Sequence, residues 1–197
     1  MPPVFANNIS EAVILYATLL IWVVPEMIRR FTLKPGPNAR KNDRFSGAMI
    51  FACNTIGIAT AFNLAFAMTS FAIPWHRTLL FGTGILLMLA GVAFRAYCIH
   101  VLGKYFTPTV VIQPGQTVTS AGPYRYIRHP SYSGALLTIL GTGLALGNWL
   151  ALIVAMFFGA LGYGYRIAVE ERTLITAMGE SYREYMRHTK RIIPFVI

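Results

Sequence analysis

Two short clusters of ionisable residues interrupt a chain that is otherwise mostly apolar. The first lies within residues 122–134 and contains Arg128 and His129 between tyrosines, and the second is Glu170-Glu171. Arginine and histidine donate hydrogen bonds, carboxylates accept them, and a tyrosine ring offers an apolar face with a hydroxyl at its edge. Ionisable groups beside membrane spans are costly to place, so the two clusters predict a functional site at the edge of a bilayer.

The composition indicates an integral membrane protein. The 197 residues are 55% hydrophobic and only 12% charged, with a mean hydropathy of +0.55, whereas a soluble domain has a charged fraction of roughly 25%. The net charge of +10 comes from 17 Lys and Arg against 7 Asp and Glu. These basic residues flank apolar segments, and no aromatic–basic RNA-binding pattern accompanies them, so we expect no nucleic-acid partner.

The cysteine and histidine spacing gives no support for a metal site. Cys53 and Cys98 both lie inside apolar segments, where we expect small buried hydrophobic residues and not a disulfide pair. The sequence has no Cys-x-x-Cys or His-x-x-x-His spacing. We therefore predict that the protein binds no metal.

The distribution of apolar residues predicts an all-α integral membrane protein with about five transmembrane helices. A span requires about 20 apolar residues, and fewer where neighbouring helices help to cover it. The last two spans are short and are separated only by Gly147-Asn148-Trp149, which predicts an antiparallel helical hairpin. The predicted spans are residues 11–27, 46–71, 79–102, 132–146 and 150–165.

The basic residues give these five spans an orientation. Fifteen of the 17 Lys and Arg residues fall on one side, while Arg77 lies on the other side and Arg95 lies within the third span. Because positive residues concentrate in cytoplasmic loops, this asymmetry predicts an external N-terminus and a cytoplasmic C-terminus. The first apolar segment lacks the basic start of a signal peptide, so we expect it to be a retained span.

The hairpin predicts that the two polar clusters meet in space, because it leaves the cytoplasmic face at Tyr132 and returns at Tyr165. Residues 103–131 contain four prolines, and a long irregular segment of this kind is typical of a lid or binding loop. After Tyr165 the chain is expected to continue as a cytoplasmic helix through Glu170-Glu171 to about Met178, where Gly179 stops it. A second, amphipathic helix is expected over about residues 180–188.

The spacing of these residues resembles the isoprenylcysteine carboxyl methyltransferases, and in particular their short prokaryotic members. The resemblance covers residues 100–197, while the first three spans agree only in hydropathy. Phospholipid N-methyltransferases share a similar arrangement of Arg-His-Pro and Glu-Glu, so the motifs indicate the superfamily more firmly than the substrate. The matching motifs are Gly122-x-Tyr124-x-x-x-Arg128-His129-Pro130-x-Tyr132-x-Gly134, Arg166-x-x-x-Glu170-Glu171-x-x-Leu174-Ile175, Gly179-x-x-Tyr182-x-x-Tyr185 and Ile193-Pro194-Phe195.

The resemblance implies a methyltransferase that uses S-adenosylmethionine and takes a lipophilic acceptor from the membrane. The chain length predicts one domain of residues 1–197, and hydropathy predicts three spans in residues 1–102. The resemblance implies that residues 103–197 form the cofactor-binding catalytic half. The expected location is the cytoplasmic membrane of a prokaryote, with the active site on the cytoplasmic side. The expected cofactor-binding residues are Tyr124, Arg128, His129, Tyr132, Gly134, Glu170 and Glu171.

Arg166 and Glu170 are the candidate catalytic residues. They lie four residues apart on one helical face, a spacing that an ordinary surface ion pair would also explain. Arg166 is expected to bind an acceptor carboxylate through its planar fork, while Glu170 holds the guanidinium in place. Glu170 and Glu171 point in different directions, so one is expected to bind the donor and the other to orient a neighbouring side chain. Arg95 is a second candidate for substrate binding, with a snorkelling arginine as the alternative.

The favoured reaction is O-methylation of a lipophilic carboxylate such as a prenylated cysteine or a related isoprenoid or fatty acid. Phospholipid amine N-methylation is the nearest alternative, and it would need a general base because the amine must first lose a proton. An NADPH-dependent membrane reductase is disfavoured by the lack of a Gly-x-Gly-x-x-Gly motif, and a non-enzymatic membrane binding protein would leave both clusters unexplained. Tyr182 and Tyr185 are expected to pack the tail helix. The acceptor's identity and the oligomeric state stay open.

Overall fold

The computed structural model describes residues 1–33, 40–41 and 43–193, which are mostly helical. Pro194 and Phe195 of the last predicted motif lie outside the described residues, as does Lys34. The α-helices are α1 (Ile9–Thr32), α2 (Ser46–Ala67), α3 (Arg77–Leu102), α4 (Pro130–Leu146), α5 (Trp149–Met178) and α6 (Glu180–His188).

Five long helices correspond to the five predicted spans and confirm the all-α membrane fold. Helices α1, α2, α3 and α5 are each long and apolar enough to cross a bilayer. Helix α4 has 17 residues, or about 26 Å at 1.5 Å per residue, which is slightly less than the hydrocarbon thickness of about 30 Å. Twelve of its 17 residues are buried by its neighbours, so other helices and not lipid cover most of its surface.

Two helix ends differ from the sequence prediction. Helix α1 is longer than predicted and begins after Asn8, whose side chain accepts a hydrogen bond of 3.0 Å from the backbone N–H of Ser10. Such an N-cap satisfies a backbone group that the first turn leaves unpaired. Helix α2 ends at Ala67 and not near residue 71, because the chain there changes to a short 3-10 turn (Thr69–Phe71).

Glycines bring α3 and α4 into backbone contact. A Cβ added at Gly91 would lie 2.5 Å from the carbonyl oxygen of Gly134, and one at Gly84 would lie 2.6 Å from that of Gly141. Small residues let membrane helices approach closely where no water drives association. Gly134, predicted as a cofactor-binding residue, therefore lies at this helix contact, where its own added Cβ would meet Gly91 at 2.8 Å.

The α4–α5 hairpin is confirmed, and its second helix continues well past the predicted span. Gly147 takes a positive φ of 63° at the turn, and the Asn148 side chain caps α5 by accepting from the N–H of Ala151 at 3.1 Å. Helix α5 then runs without interruption for 30 residues, or about 45 Å, which exceeds the hydrocarbon thickness. The predicted span and the first predicted cytoplasmic helix are thus a single element, and Glu170-Glu171 lie on its last turns.

The segment between α3 and α4, residues 103–129, folds back over the helices, and we call it the lid. Two short backbone pairings hold it. Strand β1 (Arg40–Lys41) pairs antiparallel with β2 (Val111–Ile112), joining the lid to the α1–α2 connection. The N–H groups of Arg128 and His129 donate to the carbonyls of Lys190 and Arg191 at 2.7 and 3.0 Å. The first polar cluster is therefore fixed against the chain that follows α6.

Candidate active site

Glu171 is the buried anchor of the first polar cluster. Its Oε1 accepts a hydrogen bond of 2.9 Å from Arg128 Nε, and its Oε2 lies 3.0 Å from Arg191 Nη2. His129 Nε2 lies 3.5 Å from the same carboxylate. The Glu171 side chain is only 6% exposed, and it lies behind the arginine and histidine that line the adjacent cavity. This arrangement favours an orienting role for Glu171.

Glu170 faces the cavity instead. Its side chain is 28% exposed, and its Oε2 accepts a hydrogen bond of 2.6 Å from the Tyr132 hydroxyl. Arg166 Nε is 4.0 Å away and His129 Nδ1 is 3.8 Å away. Successive helical residues point about 100° apart, which explains why Glu170 faces the cavity while Glu171 faces the buried arginine and histidine behind it.

A cavity lies between the lid, α4, α5 and α6, and we call it the polar cavity because charged and hydroxyl-bearing side chains line it alongside aliphatic ones. Five of the predicted cofactor-binding residues line it: Tyr124, Arg128, His129, Tyr132 and Glu170. Tyr182 and Tyr185 also line it, so they do more than pack the tail helix as predicted. The cavity has a volume of about 90 Å³ and is partly open to solvent.

The rings of this cavity are held in place by stacking and hydrogen bonding. His129 and Tyr132 stack with their ring centroids 5.5 Å apart and their planes 8° apart. The Tyr185 hydroxyl donates to the carbonyl oxygen of Tyr124 at 2.6 Å. Burial raises the pKa of Tyr124 and of Tyr182 above the usual tyrosine range, and it raises the pKa of Tyr185 to about 12. All three phenols therefore stay protonated at neutral pH.

A second cavity of about 440 Å³ opens between α1, α2, α3 and α5. Its walls are largely apolar and include Trp22, Ile50, Phe51 and Ile58. Four arginines and one carboxylate also line it: Arg29, Arg30, Arg95, Arg166 and Glu26. The lining is thus apolar with a cationic excess, which suits a molecule that has an apolar tail and an anionic group.

Tyr132 and Arg166 line both cavities, together with Phe106 and Thr107 of the lid. Tyr132 of α4 lies at the boundary between the two cavities, and Arg166 Nε donates a hydrogen bond of 3.2 Å to its hydroxyl. Molecules bound in the two cavities would therefore meet at these two side chains.

Asp43, which the sequence analysis did not single out, holds Arg166. Its Oδ1 accepts a hydrogen bond of 2.6 Å from Arg166 Nη1. Burial acts to raise the pKa of Asp43, but the N–H of Val110 and the charge of Arg166 outweigh it, and the pKa lies below its usual value. One sequence signal was available: Asp43 is the only aspartate, and it is the only acidic residue between Glu26 and Glu170.

Arg95 is paired within the protein. It forms two hydrogen bonds of 2.7 and 3.0 Å to the carboxylate of Glu26, and its Nη1 donates to the carbonyl of Ser131 at 3.0 Å. These contacts join α1, α3 and α4 beside the second cavity. Arg95 therefore has a structural function, and its predicted contact with substrate stays a prediction.

The fold and the two adjoining cavities define a polytopic α-helical membrane protein with a lid-covered polar site beside an apolar chamber. Residues 84–176 match the isoprenylcysteine carboxyl methyltransferase (ICMT) family. This match covers slightly less than half of the chain, and over that segment the chain resembles the family.

Similarity to individual proteins agrees with this family match. The chain is 29% identical over 109 residues to the protein-S-isoprenylcysteine O-methyltransferase of Schizosaccharomyces pombe, a match to 48% of this chain and 46% of the relative. It is 33% identical over 115 residues to the Saccharomyces cerevisiae protein of the same name, a match to 57% and 48%. The matches thus span less than half the length of these curated relatives.

A solved structure extends the likeness to almost the whole chain. The eukaryotic intramembrane Ras methyltransferase ICMT superposes with a TM-score of 0.58 at 22% sequence identity. The superposition covers 94% of this chain and 63% of that protein. At this identity the comparison shows a shared fold, which includes the three N-terminal spans that motif spacing left unassigned.

Proposed function

We propose that the protein transfers a methyl group from S-adenosylmethionine to the carboxylate of a lipophilic acceptor, such as a prenylated cysteine. The observation that carries this proposal is the shared wall of the two cavities, where Tyr132 and Arg166 face both. A polar donor and a lipid-tailed acceptor held on either side would meet there. The names of the similar proteins support the same reaction.

The residues of the polar cavity suit S-adenosylmethionine, which when bound supplies an electrophilic methyl group. Glu170 would accept hydrogen bonds from its ammonium or ribose. His129 lines the same cavity, and its Nδ1 lies 3.8 Å from Glu170 Oε2, so this ring edge can bind a polar group of the ligand beside Glu170. Tyr124 and Tyr182 offer aromatic walls for a nucleoside.

The second cavity suits an anionic acceptor better than a cationic one. A lipid carboxylate with a pKa near 4 is already ionised at neutral pH and needs no general base. Arg166 would bind it, because a guanidinium matches a carboxylate with two parallel hydrogen bonds. A protonated phospholipid amine would instead meet the cationic excess of Arg29, Arg30, Arg95 and Arg166.

The protein's contribution to the reaction is alignment and exclusion of water. Methyl transfer is an in-line displacement, so its rate depends on holding the reacting atoms at near-attack distance. Tyr132 is fixed by Glu170 and Arg166 at 2.6 and 3.2 Å. The lid segment covers the boundary through Phe106 and Thr107. The charge asymmetry supports a position of this site on the cytoplasmic side of the membrane.

Methylation of defined acceptors by the purified protein tests the proposal. The full chain in lipid nanodiscs is incubated with isotope-labelled S-adenosylmethionine and a farnesylated cysteine, its carboxamide, a long-chain fatty acid or phosphatidylethanolamine. We expect a base-labile methyl ester on a free carboxylate and no label on the matched carboxamide. Label that is base-stable and confined to phosphatidylethanolamine would contradict carboxylate methylation. Failure to bind S-adenosylhomocysteine by calorimetry would remove the cofactor assignment.

A further inference from the structure

Asp43 connects three segments that are distant in the sequence. It lies between α1 and α2, in the part of the chain that precedes the Ser46 N-terminus of α2. Its Oδ1 accepts from Arg166 Nη1 of α5 at 2.6 Å and from the backbone N–H of Val110 in the lid at 2.8 Å. Ser46 Oγ donates to the same oxygen at 3.0 Å. One buried carboxylate thus links the start of α2, the lid and Arg166 of α5, which lies at the boundary between the two cavities.

The hydrogen bonds of Arg166 leave one nitrogen available. Its Nη1 donates to Asp43 and, at 2.9 Å, to Ser46 Oγ, while its Nε donates to the Tyr132 hydroxyl at 3.2 Å. No hydrogen bond from Nη2 exists among the described residues. The guanidinium is therefore fixed at two of its nitrogens and can present the third to a ligand at the cavity boundary.

We propose that Asp43 is a positioning residue for methyl transfer, which holds Arg166 toward the acceptor and joins the closed lid to that arrangement. This inference rests on the proposed function. Without the Asp43 charge, the nearest carboxylate to Arg166 is Glu170, whose Oε2 lies 4.0 Å from Nε. Arg166 would move toward Glu170 and into the polar cavity, where it no longer faces the acceptor.

The lid contact gives Asp43 a second effect on the same site. Val110 is buried, and its N–H donates to Asp43 beside the β1–β2 pairing. The lid residues Phe106 and Thr107, which line both cavities, lie only a few residues before it. Since one carboxylate holds both the lid and Arg166, closing the lid and aiming the guanidinium occur together.

Kinetics of matched variants in nanodiscs test this role. Asp43→Asn removes the charge but keeps an oxygen that can accept the hydrogen bond from Val110. Asp43→Glu keeps the charge on a longer side chain. Glu184→Gln is the control, because it removes an exposed carboxylate of α6. We expect Asp43→Asn to raise the acceptor KM about tenfold, because hydrogen bonds to charged groups are the strong ones. The affinity for S-adenosylhomocysteine should stay within about twofold, and Asp43→Glu should recover part of the loss. An unchanged acceptor KM, or an equal loss of S-adenosylhomocysteine affinity, would overturn the proposal.

Arginine modification gives a readout that does not depend on turnover. Phenylglyoxal labels accessible guanidinium groups, and mass spectrometry compares the Arg166 peptide with the exposed Arg125 as an internal reference. We expect faster labelling of Arg166 in Asp43→Asn and no change in Glu184→Gln. Equal labelling of Arg166 in all variants would refute the positioning role even if the wild type methylates no acceptor. A wild type without activity, combined with faster labelling, would instead refute only the proposed reaction.

Discussion

Replacing Glu171 by glutamine should destabilise the protein strongly, whereas the same change at Glu170 should mainly impair ligand binding. The two residues are adjacent in sequence and the substitutions are chemically identical, so each variant controls for the other. The difference between them arises only from what each carboxylate contacts.

The size of the effect at Glu171 follows from its partners. Loss of the charge leaves Arg128, whose side chain is 8% exposed, without its carboxylate. Breaking a buried ion pair costs about 3–5 kcal/mol, but glutamine keeps one oxygen and Arg128 keeps its hydrogen bonds to Met186 and Thr189. Arg191 is 53% exposed, and an exposed pair adds only about 0–1 kcal/mol. A loss of about 3 kcal/mol corresponds to a Tm decrease of about 6–12 °C for a chain of this size.

Glu170→Gln should cost much less stability. Glutamine can still accept the hydrogen bond from the Tyr132 hydroxyl, and the nearest arginine nitrogen is 4.0 Å away from a partly exposed side chain. We expect about 1 kcal/mol or less, hence a Tm decrease of at most about 4 °C. The affinity for S-adenosylmethionine should nevertheless fall about tenfold, since a carboxylate that faces the cavity loses its charge.

The protein's own cysteines provide the assay. Cys53 and Cys98 are both free and buried, so a fluorogenic maleimide reacts with them only as the helices separate. Thermal unfolding in detergent is followed with this dye, and ligand affinity is measured separately by calorimetry. Equal Tm decreases in the two variants, or a larger decrease for Glu170→Gln, would refute the distinction between an anchoring and a ligand-facing carboxylate.

Three further predictions concern Arg166, the helix contacts and pH. Arg166→Lys should lower kcat/KM for a carboxylate acceptor by about ten- to a hundredfold, because lysine keeps the charge but loses the planar fork. The affinity for S-adenosylhomocysteine, measured by calorimetry, should be unchanged. A collapse of that affinity would assign Arg166 to the cofactor site. Gly84→Ala should sharply lower Tm, since the added Cβ would lie 2.6 Å from the backbone nitrogen of Ala145. Gly82→Ala is the control, because its added Cβ meets open space and should leave Tm unchanged. Equal Tm values for the two variants would contradict the α3–α4 contact. Folding lowers the pKa of Asp43, so its carboxylate stabilises the protein above the unfolded pKa of about 4 and loses this effect as pH falls through the folded value. The Tm difference between wild type and Asp43→Asn should therefore shrink below about pH 4, and a constant difference would argue against that contribution.

The helices were largely predictable because the lipid environment leaves a strong hydropathy signal. All five long helices follow from runs of apolar residues, and the hairpin follows from the short Gly147–Trp149 connection. The end of α5 at Met178 was also predictable, because Gly179 stops the helix there, even though the residues change from apolar to charged after Tyr165. Hydropathy reports the membrane boundary there and not the end of the helix.

The site was predictable only where its residues are close in sequence or joined by the hairpin. The different directions of Glu170 and Glu171 follow from helical periodicity. The contact of Asp43 with Arg166 joins residues that are 123 positions apart, and the sequence between them contains no local pattern that encodes it. The same holds for the two-residue strands β1 and β2, which are too short to show a period and are defined only by their pairing.

The pairing of buried charges gives an independent argument for which carboxylate meets the donor. Among the described residues around the cavities, three carboxylates each lie within 3 Å of an arginine nitrogen: Glu26 with Arg95, Asp43 with Arg166, and Glu171 with Arg128. Glu170 differs, because its closest partner is the neutral hydroxyl of Tyr132 and its closest arginine nitrogen is 4.0 Å away. A carboxylate that is only partly solvated and lacks a close cation is stabilised most by a cation that arrives with a ligand. The ammonium and sulfonium groups of the proposed donor S-adenosylmethionine would meet that need, whereas an anionic cofactor such as NADPH would be repelled by the Glu170 carboxylate.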